Sequence, residues 1–300
     1  MKERFADLFN RYPALTSAFI VLVLGLLAFL ATRQTATEEE VEPVDVVVSD
    51  TLALNVMCLP TLESLPLYHA LESGMCDSIQ LALSLYTETS QFDIDSIMRR
   101  TKRIDGAVCD VHRLDHYRAT RRALPVTEVM RLDGIWRLVS SGQLRIRDVA
   151  KLKKRAVATA RYATSSSLLE TSLRGTGLKT TGLYHAQIND FGIRLAMLDE
   201  AQVDASMLPE PYASQALVRG HRAIWSADSV STLALCFRDK SLKDKRKKAQ
   251  VELLKKAYNR AAADLNRRGI HAADSALIKS YGLTPEAIDT LRLPRYHTVR

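Results

Sequence analysis

The chain has 300 residues, enough for one large domain or two modest ones, and its 47% hydrophobic and 25% charged residues are typical of a globular rather than a disordered protein. Its 42 basic residues outnumber its 34 acidic residues, which gives a net charge of +8. This excess does not indicate nucleic-acid binding, because the basic runs fall on predicted helix ends and solvated helix faces, without interleaved aromatic residues. The runs are 99–103, 151–155 and 240–248.

An uncharged apolar run at 14–31 is the first predicted element. Its roughly 18 residues are long enough to cross a bilayer core as a helix. Lys2, Arg4 and Arg11 precede the run, so the positive-inside rule leaves the N-terminus in the cytoplasm. We predict a cytoplasmic N-terminus at 1–12, a transmembrane signal anchor at 13–33 and a linker at 34–51. The chain is then a single-pass protein of the cell inner membrane with a periplasmic or otherwise extracytoplasmic bulk.

Two alternatives exist for this run. A cleaved secretory signal needs a small residue at the third position before the cut, and Phe29 holds that position before a cut after Ala31. A buried core helix is the other alternative, but the acidic, proline-containing stretch at 35–48 resembles a tether rather than the continuation of a core.

The chain beyond the linker alternates strands and helices, which predicts an α/β fold with a mainly parallel sheet and helices on its faces. Strands are predicted at 53–59, 79–85 and 104–110, with a helix after the loop at 60–66 and a polar helix at 92–103.

A short pattern occurs twice, at 104–110 and 203–210. In each copy Ile or Val followed by Asp leads into a short run of small and apolar residues, and an acidic residue ends that run. The repeat predicts two similar lobes. Because ligands bind beyond the carboxyl ends of such strands, the lobes are expected to face each other across a cleft.

The second lobe is predicted to follow a strand at 135–140. It contains strands at 155–159, 186–189 and 202–209, and a hydroxyl-rich stretch at 162–167 before a helix at 168–174. One interpretation is that a hydroxyl simply caps this helix. The other is that hydroxyls and free N–H groups bind a carboxylate, sulfonate or phosphate there.

A strand at 222–225 is predicted to lead back out of the second lobe, so that two crossings form a hinge. Helices at 249–267 and 284–291 complete the first lobe. The predicted boundaries are 52–140 and 228–300 for lobe 1, and 141–227 for lobe 2.

The four cysteines lack the spacing of a metal site, and no metal or cofactor is predicted. Cys58 and Cys109 both lie on predicted buried strands. They are either two buried free thiols or, outside the cytoplasm, a disulfide.

Several runs in this order resemble the type II periplasmic substrate-binding proteins of ABC importers, particularly the nitrate, sulfonate, taurine and thiamine-precursor group. The resemblance extends from about residue 52 to 296. The runs that carry it are LNVMCLPT at 54–61, PLYHALESG at 66–74, IDGA at 104–107, DVAKLKKRAVA at 148–158, VDA at 203–205 and EP at 210–211.

The resemblance implies two α/β lobes joined by two strands, with one small ligand enclosed by hinge closure and no catalysis. It implies as partners a small-molecule ligand and a membrane permease with its ATPase. The ligand shell that it implies consists of Thr61, Leu62, Ser64, Asp110, Ser140, Thr164, Ser165, Ser166, Asn189, Glu210 and Tyr212.

The chain departs from the family pattern in keeping an anchor without a lipidation cysteine, in having His112, Arg113 and Asp115 after the third strand, and in inserting Glu63. Glu63 or Asp110 in the cleft disfavours an anionic ligand unless the carboxylate is paired with a cation, and suits a cationic or zwitterionic amine.

Two other functions are a ligand-sensing subunit for a membrane signalling partner and a thiamine-pyrimidine biosynthetic enzyme. The enzyme is disfavoured because the chain has neither a cysteine cluster nor a G-x-S-x-G turn.

Overall fold

The computed structural model describes residues 53–299, and these contain one mixed sheet of eight strands in the order β2-β1-β3-β8-β4-β7-β5-β6. The strands are β1 (Leu54–Cys58), β2 (Leu83–Thr87), β3 (Gly106–Asp110), β4 (Val126–Ser140), β5 (Ala156–Thr159), β6 (Tyr184–Gln187), β7 (Ala205–Pro209) and β8 (Arg222–Arg238).

Ten α-helices and several short 3-10 turns flank this sheet in the described part of the chain. The helices are α1 (Leu65–Glu72), α2 (Gln91–Arg100), α3 (Val111–Ala119), α4 (Thr164–Ser172), α5 (Phe191–Asp199), α6 (Tyr212–Val218), α7 (Asp239–Lys243), α8 (Lys245–Arg268), α9 (Asp274–Tyr281) and α10 (Pro285–Ile288). The predicted α/β class is therefore confirmed.

Two parallel groups of strands make up the ends of the sheet. β1 pairs in parallel with β2 and β3, and β5 pairs in parallel with β6 and β7. β1, β3 and β7 are buried along their whole length, because small and apolar residues fill both faces.

The two long strands β4 and β8 are antiparallel and connect these groups. β3 pairs with Leu233–Phe237 at one end of β8, whereas β7 pairs with Trp136–Ser140 at one end of β4. The strands predicted at 135–140 and 222–225 are thus only parts of longer elements. The remaining parts alternate partly exposed polar and apolar residues and are interrupted by register shifts, so their periodicity in the sequence is weak.

Other boundaries also differ from the sequence prediction. The second strand begins at Leu83 rather than 79, because Asp77–Ile79 forms a 3-10 turn and Gln80 has a positive φ of 57°. The helix predicted at 168–174 begins earlier, at Thr164, so the hydroxyl residues lie inside its first turn instead of preceding it.

The core lies between the sheet and its helices. Helix α8 contributes the apolar stripe that the sequence predicts, and it packs against α1. The buried members of the stripe include Val251, Leu254, Ala257, Tyr258, Ala261 and Leu265. A smaller cluster under α5 and α6 fills the other end of the sheet.

The predicted transmembrane segment at 13–33 and linker at 34–51 lie outside the described residues. Between residues 53 and 299, no helix is long and apolar enough to span a membrane.

All four cysteines are buried free thiols, so Cys58 and Cys109 are not disulfide-bonded. Cys109 instead interacts with Cys236 on the neighbouring strand β8, and this interaction together with burial raises the pKa of the Cys109 thiol.

Candidate ligand-binding site

The loops that follow the strands of the two parallel groups meet along a line that we call the seam. The N–H of Leu62 donates to the carbonyl of Glu210 at 2.9 Å. The N–H of Thr164 donates to Oδ2 of Asp110 at 2.7 Å, and the Thr89 hydroxyl donates to the carboxylate of Asp190. The carboxyl ends of the strands in both groups therefore contact each other directly.

Asp110 caps two helices from one carboxylate. It is 3% exposed, and its Oδ1 accepts the N–H groups of His112 at 3.0 Å and Arg113 at 3.3 Å at the start of α3. Its Oδ2 accepts the first N–H of α4, across the seam. The start of α4 is therefore capped from two sides, since the hydroxyl of Ser166 accepts the N–H of the N-cap residue Ala163 at 3.2 Å, as the sequence favours, while the carboxylate of Asp110 binds the N–H of Thr164.

Arg194 is a buried cation whose charge interacts with that of Asp110. It is 1% exposed, and its guanidinium donates to the carbonyls of Ile188 at 2.8 Å and Met207 at 2.9 Å and to Oγ of Ser165 at 3.3 Å. Burial lowers the pKa of Arg194 to about 9, while the charge of Asp110 opposes that shift. Burial raises the pKa of Asp110, and its hydrogen bonds from Thr164 oppose this. We call Asp110, Thr164, Ser165 and Arg194 the Asp110 cluster.

A second group of buried polar residues lies around Glu63, which is 1% exposed. The indole Nε1 of Trp136 donates to Oε1 of Glu63 at 2.8 Å, whereas Oε2 has no hydrogen-bond partner among the described residues. Burial raises the pKa of Glu63 to about 7, and the hydrogen bond from Trp136 opposes this shift. The carboxyl group also touches β4 closely, because a Cβ added at Gly134 would lie 2.1 Å from Oε1.

Glu210 lies next to Glu63 at the end of β7 and is fully buried. Its Oε1 is 3.0 Å from Nη2 of Arg137, and its Oε2 accepts the N–H of Ser214 at 2.9 Å. Burial raises the pKa of Glu210, and the charge of Arg137 opposes that shift. We call Glu63, Ser64, Trp136, Arg137 and Glu210 the Glu63 cluster.

Two cavities open at the outer rim of the seam, between α3 and the ends of β5 and β6. The larger has a volume of about 570 Å³ and the smaller about 220 Å³, and they share His116, Arg161, Tyr162 and Gln187. The rings of His116 and Tyr162 stack at 3.7 Å between centroids. His112 and His185 also line the larger cavity. Within residues 53–299, no three His, Cys, Asp or Glu side chains are arranged to hold a metal ion.

The structure brings most of the predicted shell residues to the seam. Asp110, Thr164 and Ser165 are joined in one cluster, and Leu62, Ser64 and Glu210 lie in or beside the other. The Thr61 carbonyl accepts the hydroxyl of Tyr281 at 2.7 Å. Ligand contact by any of these residues stays a prediction.

The remaining shell residues are more dispersed. Ser166 lines the larger rim cavity and Asn189 the smaller. The ring of Tyr212 packs against that of Phe191, with 5.6 Å between the ring centroids. Ser140 lies apart, at the end of β4, where its hydroxyl donates to the carbonyl of Ile146 at 3.0 Å.

Sequence reasoning missed three side chains of the seam, namely Trp136, Arg137 and Arg194, and noted Glu63 without assigning it to the shell. A signal existed for Arg194, because an arginine stands within the otherwise apolar helix FGIRLAML at 191–198. No comparable signal marks Arg137, since its partner Glu210 lies distant in sequence.

No protein-family model matches the sequence, and no curated protein matches it significantly. Solved structures match it over most of its length. The periplasmic aliphatic sulphonate binding protein SsuA from Escherichia coli is 17% identical, with a TM-score of 0.63 over 84% of this chain and 82% of that one. The periplasmic nitrate-binding protein NrtA from Synechocystis PCC 6803 is 14% identical, with a TM-score of 0.68 over 81% and 72%. The chain has the fold of a periplasmic binding protein.

These neighbours confirm, at the level of the fold, the resemblance that the sequence motifs indicate. The desulfurization enzyme DSZB also shares the fold, at 13% identity and a TM-score of 0.57 over 83% of this chain and 86% of that one. The fold is therefore found both in solute-binding proteins and in an enzyme. The residues of the site, rather than the fold, must decide which of these functions the protein has.

Proposed function

We propose that the protein is the substrate-binding component of an ABC importer, which captures a small polar molecule between two lobes. The candidates are a sulfonate, nitrate, taurine or a thiamine-precursor-like compound. Lobe 1 comprises 52–140 and 228–300 and lobe 2 comprises 141–227, with β4 and β8 as the hinge. The similarity to sulphonate- and nitrate-binding structures supports this proposal.

One observation carries the proposal: buried polar atoms without partners collect at the seam. Oε2 of Glu63 and the hydroxyls of Ser64 and Ser214 have no hydrogen-bond partner among the described residues. Buried polar groups are nearly always paired, so an unpaired group needs an explanation. A polar ligand enclosed when the lobes close would supply the missing partners and stabilise the closed form.

The same proposal assigns the partners and the location. The ligand would be delivered to a membrane permease and its ATPase, and the segment at 13–33 would hold the protein in the inner membrane with its bulk outside the cytoplasm. A ligand-sensing subunit would bind in the same way without transport, so uptake of the ligand by cells lacking this protein distinguishes the two.

Thermal unfolding of the full chain in detergent, followed by tryptophan fluorescence, tests the binding. The panel contains small sulfonates, nitrate, taurine, pyrimidines, polyamines and amino acids. A ligand that binds only the folded state raises the melting temperature in a saturable way. Glu63→Gln should abolish or weaken the shift, whereas Glu72→Gln on the surface should leave it unchanged.

The compound must also be recovered unchanged. A compound recovered in altered form would support an enzyme instead. No saturable shift with any member of the panel would contradict the proposed binding function.

A further inference from the structure

The two cavities at the rim of the seam are large enough for an organic ligand. The larger, about 570 Å³, lies within the range of about 300–1,000 Å³ that is typical of small-molecule sites, and the smaller adds about 220 Å³. They share a wall of His116, Arg161, Tyr162 and Gln187, so one ligand can contact residues of both. A small ion such as nitrate would fill only a minor part of this space.

Arg161 provides an unused positive charge in the shared wall. Its backbone N–H donates to Oε1 of Gln187 at 2.7 Å, but its exposed guanidinium forms no hydrogen bond or ion pair within residues 53–299. A guanidinium presents its N–H donors in a planar fork that matches the oxygens of a carboxylate or a related oxyanion. The side chain is therefore available to a ligand in either cavity.

The acids around the cavities do not occupy Arg161. Glu170 is the one acid in either lining; it is exposed and forms no ion pair with Arg161 in the described part of the chain. Behind the wall, the carboxylate of Asp110 accepts backbone N–H groups of α3 and α4, and Asp95 is paired with Arg113 at 2.6 Å. An entering anion would thus meet a guanidinium that has no countercharge bound to it.

Three histidines add hydrogen-bond donors to the larger cavity. They are His112, His116 and His185, and Nε2 of His185 already donates to the carbonyl of Thr180 at 3.0 Å. Each neutral imidazole has one N–H group, and protonation adds a second together with a positive charge. His112 is one of the residues by which the chain departs from the family pattern, so this lining is particular to the chain.

Aromatic rings line the smaller cavity. Phe92 and Tyr162 are 50% and 52% exposed, although large aromatic side chains usually bury most of their surface. Tyr117 adds a third ring to this wall, and the ring of His116 stacks on that of Tyr162 with an angle of 5° between their planes. A planar ring of a ligand would cover Phe92 and Tyr162 and remove their apolar surface from water.

We propose that the rim cavities bind a planar aromatic ring that carries a carboxylate or sulfonate group, with the oxyanion at Arg161 and the ring against Phe92 and Tyr162. This inference rests on the proposed solute-binding function, places the captured ligand at the rim and narrows its class. Phe92 belongs to α2 and Tyr162 follows β5, so the ligand would bridge the two parallel groups of strands.

Probes that separate the ring from the charge test the ligand class. Benzoate and benzenesulfonate carry both, benzamide has the ring without the charge, and acetate and methanesulfonate have the charge without the ring. In isothermal titration calorimetry of the full chain in detergent, corrected for titration into protein-free micelles, benzoate or benzenesulfonate should bind at least about tenfold more tightly than each of the other three. Equal affinity for benzoate and benzamide, or for benzoate and acetate, would overturn the proposed class.

Variants of the shared wall test the position of the ligand. Arg161→Gln should weaken binding of the aromatic anion at least about tenfold, because it keeps a donor but loses the charge. Tyr162→Leu should weaken it about threefold to tenfold, because it keeps the apolar bulk but loses the ring. The matched controls are Arg174→Gln and Tyr184→Leu, which change exposed side chains that line neither cavity and should leave the affinity unchanged.

The outcomes also separate this inference from the proposed function. Binding of an aromatic anion that both wall variants weaken supports the two together. Binding of an aromatic anion that neither wall variant changes would overturn the site. Saturable stabilisation by nitrate, taurine or a polyamine alone, weakened by Glu63→Gln and unchanged in Arg161→Gln and Tyr162→Leu, would overturn this inference while leaving the binding function intact. Binding of no compound in either set would contradict both.

Discussion

The Asp110 cluster and the Glu63 cluster lie at the same seam, yet they differ in how many of their buried polar atoms lack a hydrogen-bond partner among the described residues: the Thr164 hydroxyl in the first, against Oε2 of Glu63 and the hydroxyl of Ser64 in the second. Both carboxylate oxygens of Asp110 accept backbone N–H groups, and the guanidinium of Arg194 has three acceptors. Glu63 accepts one indole N–H and has a second oxygen without a partner among the described residues. Burial alone therefore does not distinguish a structural contact from a candidate ligand contact; pairing does.

The difference has an electrostatic side. Desolvation raises the pKa of both acids, but only Asp110 has backbone donors on each oxygen and a buried guanidinium in its neighbourhood. Burial desolvates the carboxyl group of Glu63 and raises its pKa to about 7, and the charge of Glu210 adds to that shift. The Asp110 cluster therefore joins β3 and α3 to α4 mostly through paired atoms, whereas the Glu63 cluster keeps an ionisable oxygen without a partner among the described residues.

Gly134→Ala should break the Glu63 cluster most severely. The added Cβ would lie 2.1 Å from Oε1 and 2.5 Å from Cγ of Glu63, a side chain that is buried and cannot move into solvent. Overpacking of this kind costs about 3 kcal/mol of unfolding free energy, whereas Gly→Ala in a strand without a clash is neutral or stabilising. Denaturant unfolding of the full chain measures the loss.

Gly182→Ala is the control for this substitution, because its Cβ would meet only the mobile end of Leu178 at 3.0 Å. The double variant Gly134→Ala with Glu63→Ala should recover part of the lost stability, since the clashing side chain is gone. Equal stability of Gly134→Ala and wild type would show that Glu63 does not lie against β4.

Glu63→Gln should remove a pH dependence of stability. The ordinary pKa of 4.5 is raised to about 7 in the folded protein, so between these values the folded state binds more protons than the unfolded state. The unfolding free energy therefore falls as pH rises from about 4.5 to 7, by about 3 kcal/mol for this group. The variant has no proton to lose and should lack this part of the slope.

Unfolding of wild type and Glu63→Gln at pH 5, 6, 7 and 8 measures the difference between the two slopes. Subtracting the variant removes the contribution of every other titrating group. Parallel pH profiles would contradict the burial of an uncompensated carboxyl group at position 63.

Trp136→Phe should weaken the same cluster by a smaller amount. Phenylalanine keeps the edge-on packing against Phe191, whose ring centroid lies 5.7 Å away, but lacks the N–H that bonds Glu63. Leaving Oε1 without its donor costs about 1–3 kcal/mol of unfolding free energy at pH 8, where the carboxyl group is ionised. The half-buried Trp225→Phe on β8 is the control.

The loss from Trp136→Phe should shrink at pH 5, because a protonated Glu63 needs the donor less. A loss that is the same at pH 5 and pH 8 would assign the effect to packing rather than to the hydrogen bond.

Much of the fold could be predicted from the sequence, because local patterns determine it. The small, apolar repeats at 104–110 and 203–210 became β3 and β7, and the apolar stripe of 249–267 became the buried face of α8. The lengths of β4 and β8 could not be predicted. Their partly exposed halves are held by pairing with each other, which is a non-local interaction without a strong periodic pattern.

The site was predictable only where residues follow a strand directly. Asp110 and Glu210 lie at the carboxyl ends of β3 and β7. Ligands bind at the carboxyl ends of strands in such sheets, so this general rule predicts both residues as site residues. The pairing of Trp136 with Glu63 and of Arg194 with Ser165 joins residues that are distant in sequence. The sequence predicts a hydroxyl at the start of α4, and Ser166 supplies one, but the additional carboxylate of Asp110 comes from a residue that is distant in sequence.

Ser64→Ala and Ser165→Ala compare the two clusters with the same small change. Oγ of Ser165 accepts the N–H of Ala160 at 2.9 Å and the guanidinium of Arg194 at 3.3 Å, so its removal leaves two buried donors unpaired and costs about 1–2 kcal/mol. The hydroxyl of Ser64 has no hydrogen-bond partner among the described residues, so its removal should change stability by less than about 0.5 kcal/mol or raise it. Thermal unfolding without ligand measures both. If the cost of Ser64→Ala equals that of Ser165→Ala, the Glu63 cluster is as fully paired as the Asp110 cluster, and the distinction between a structural and a ligand-facing half of the seam fails.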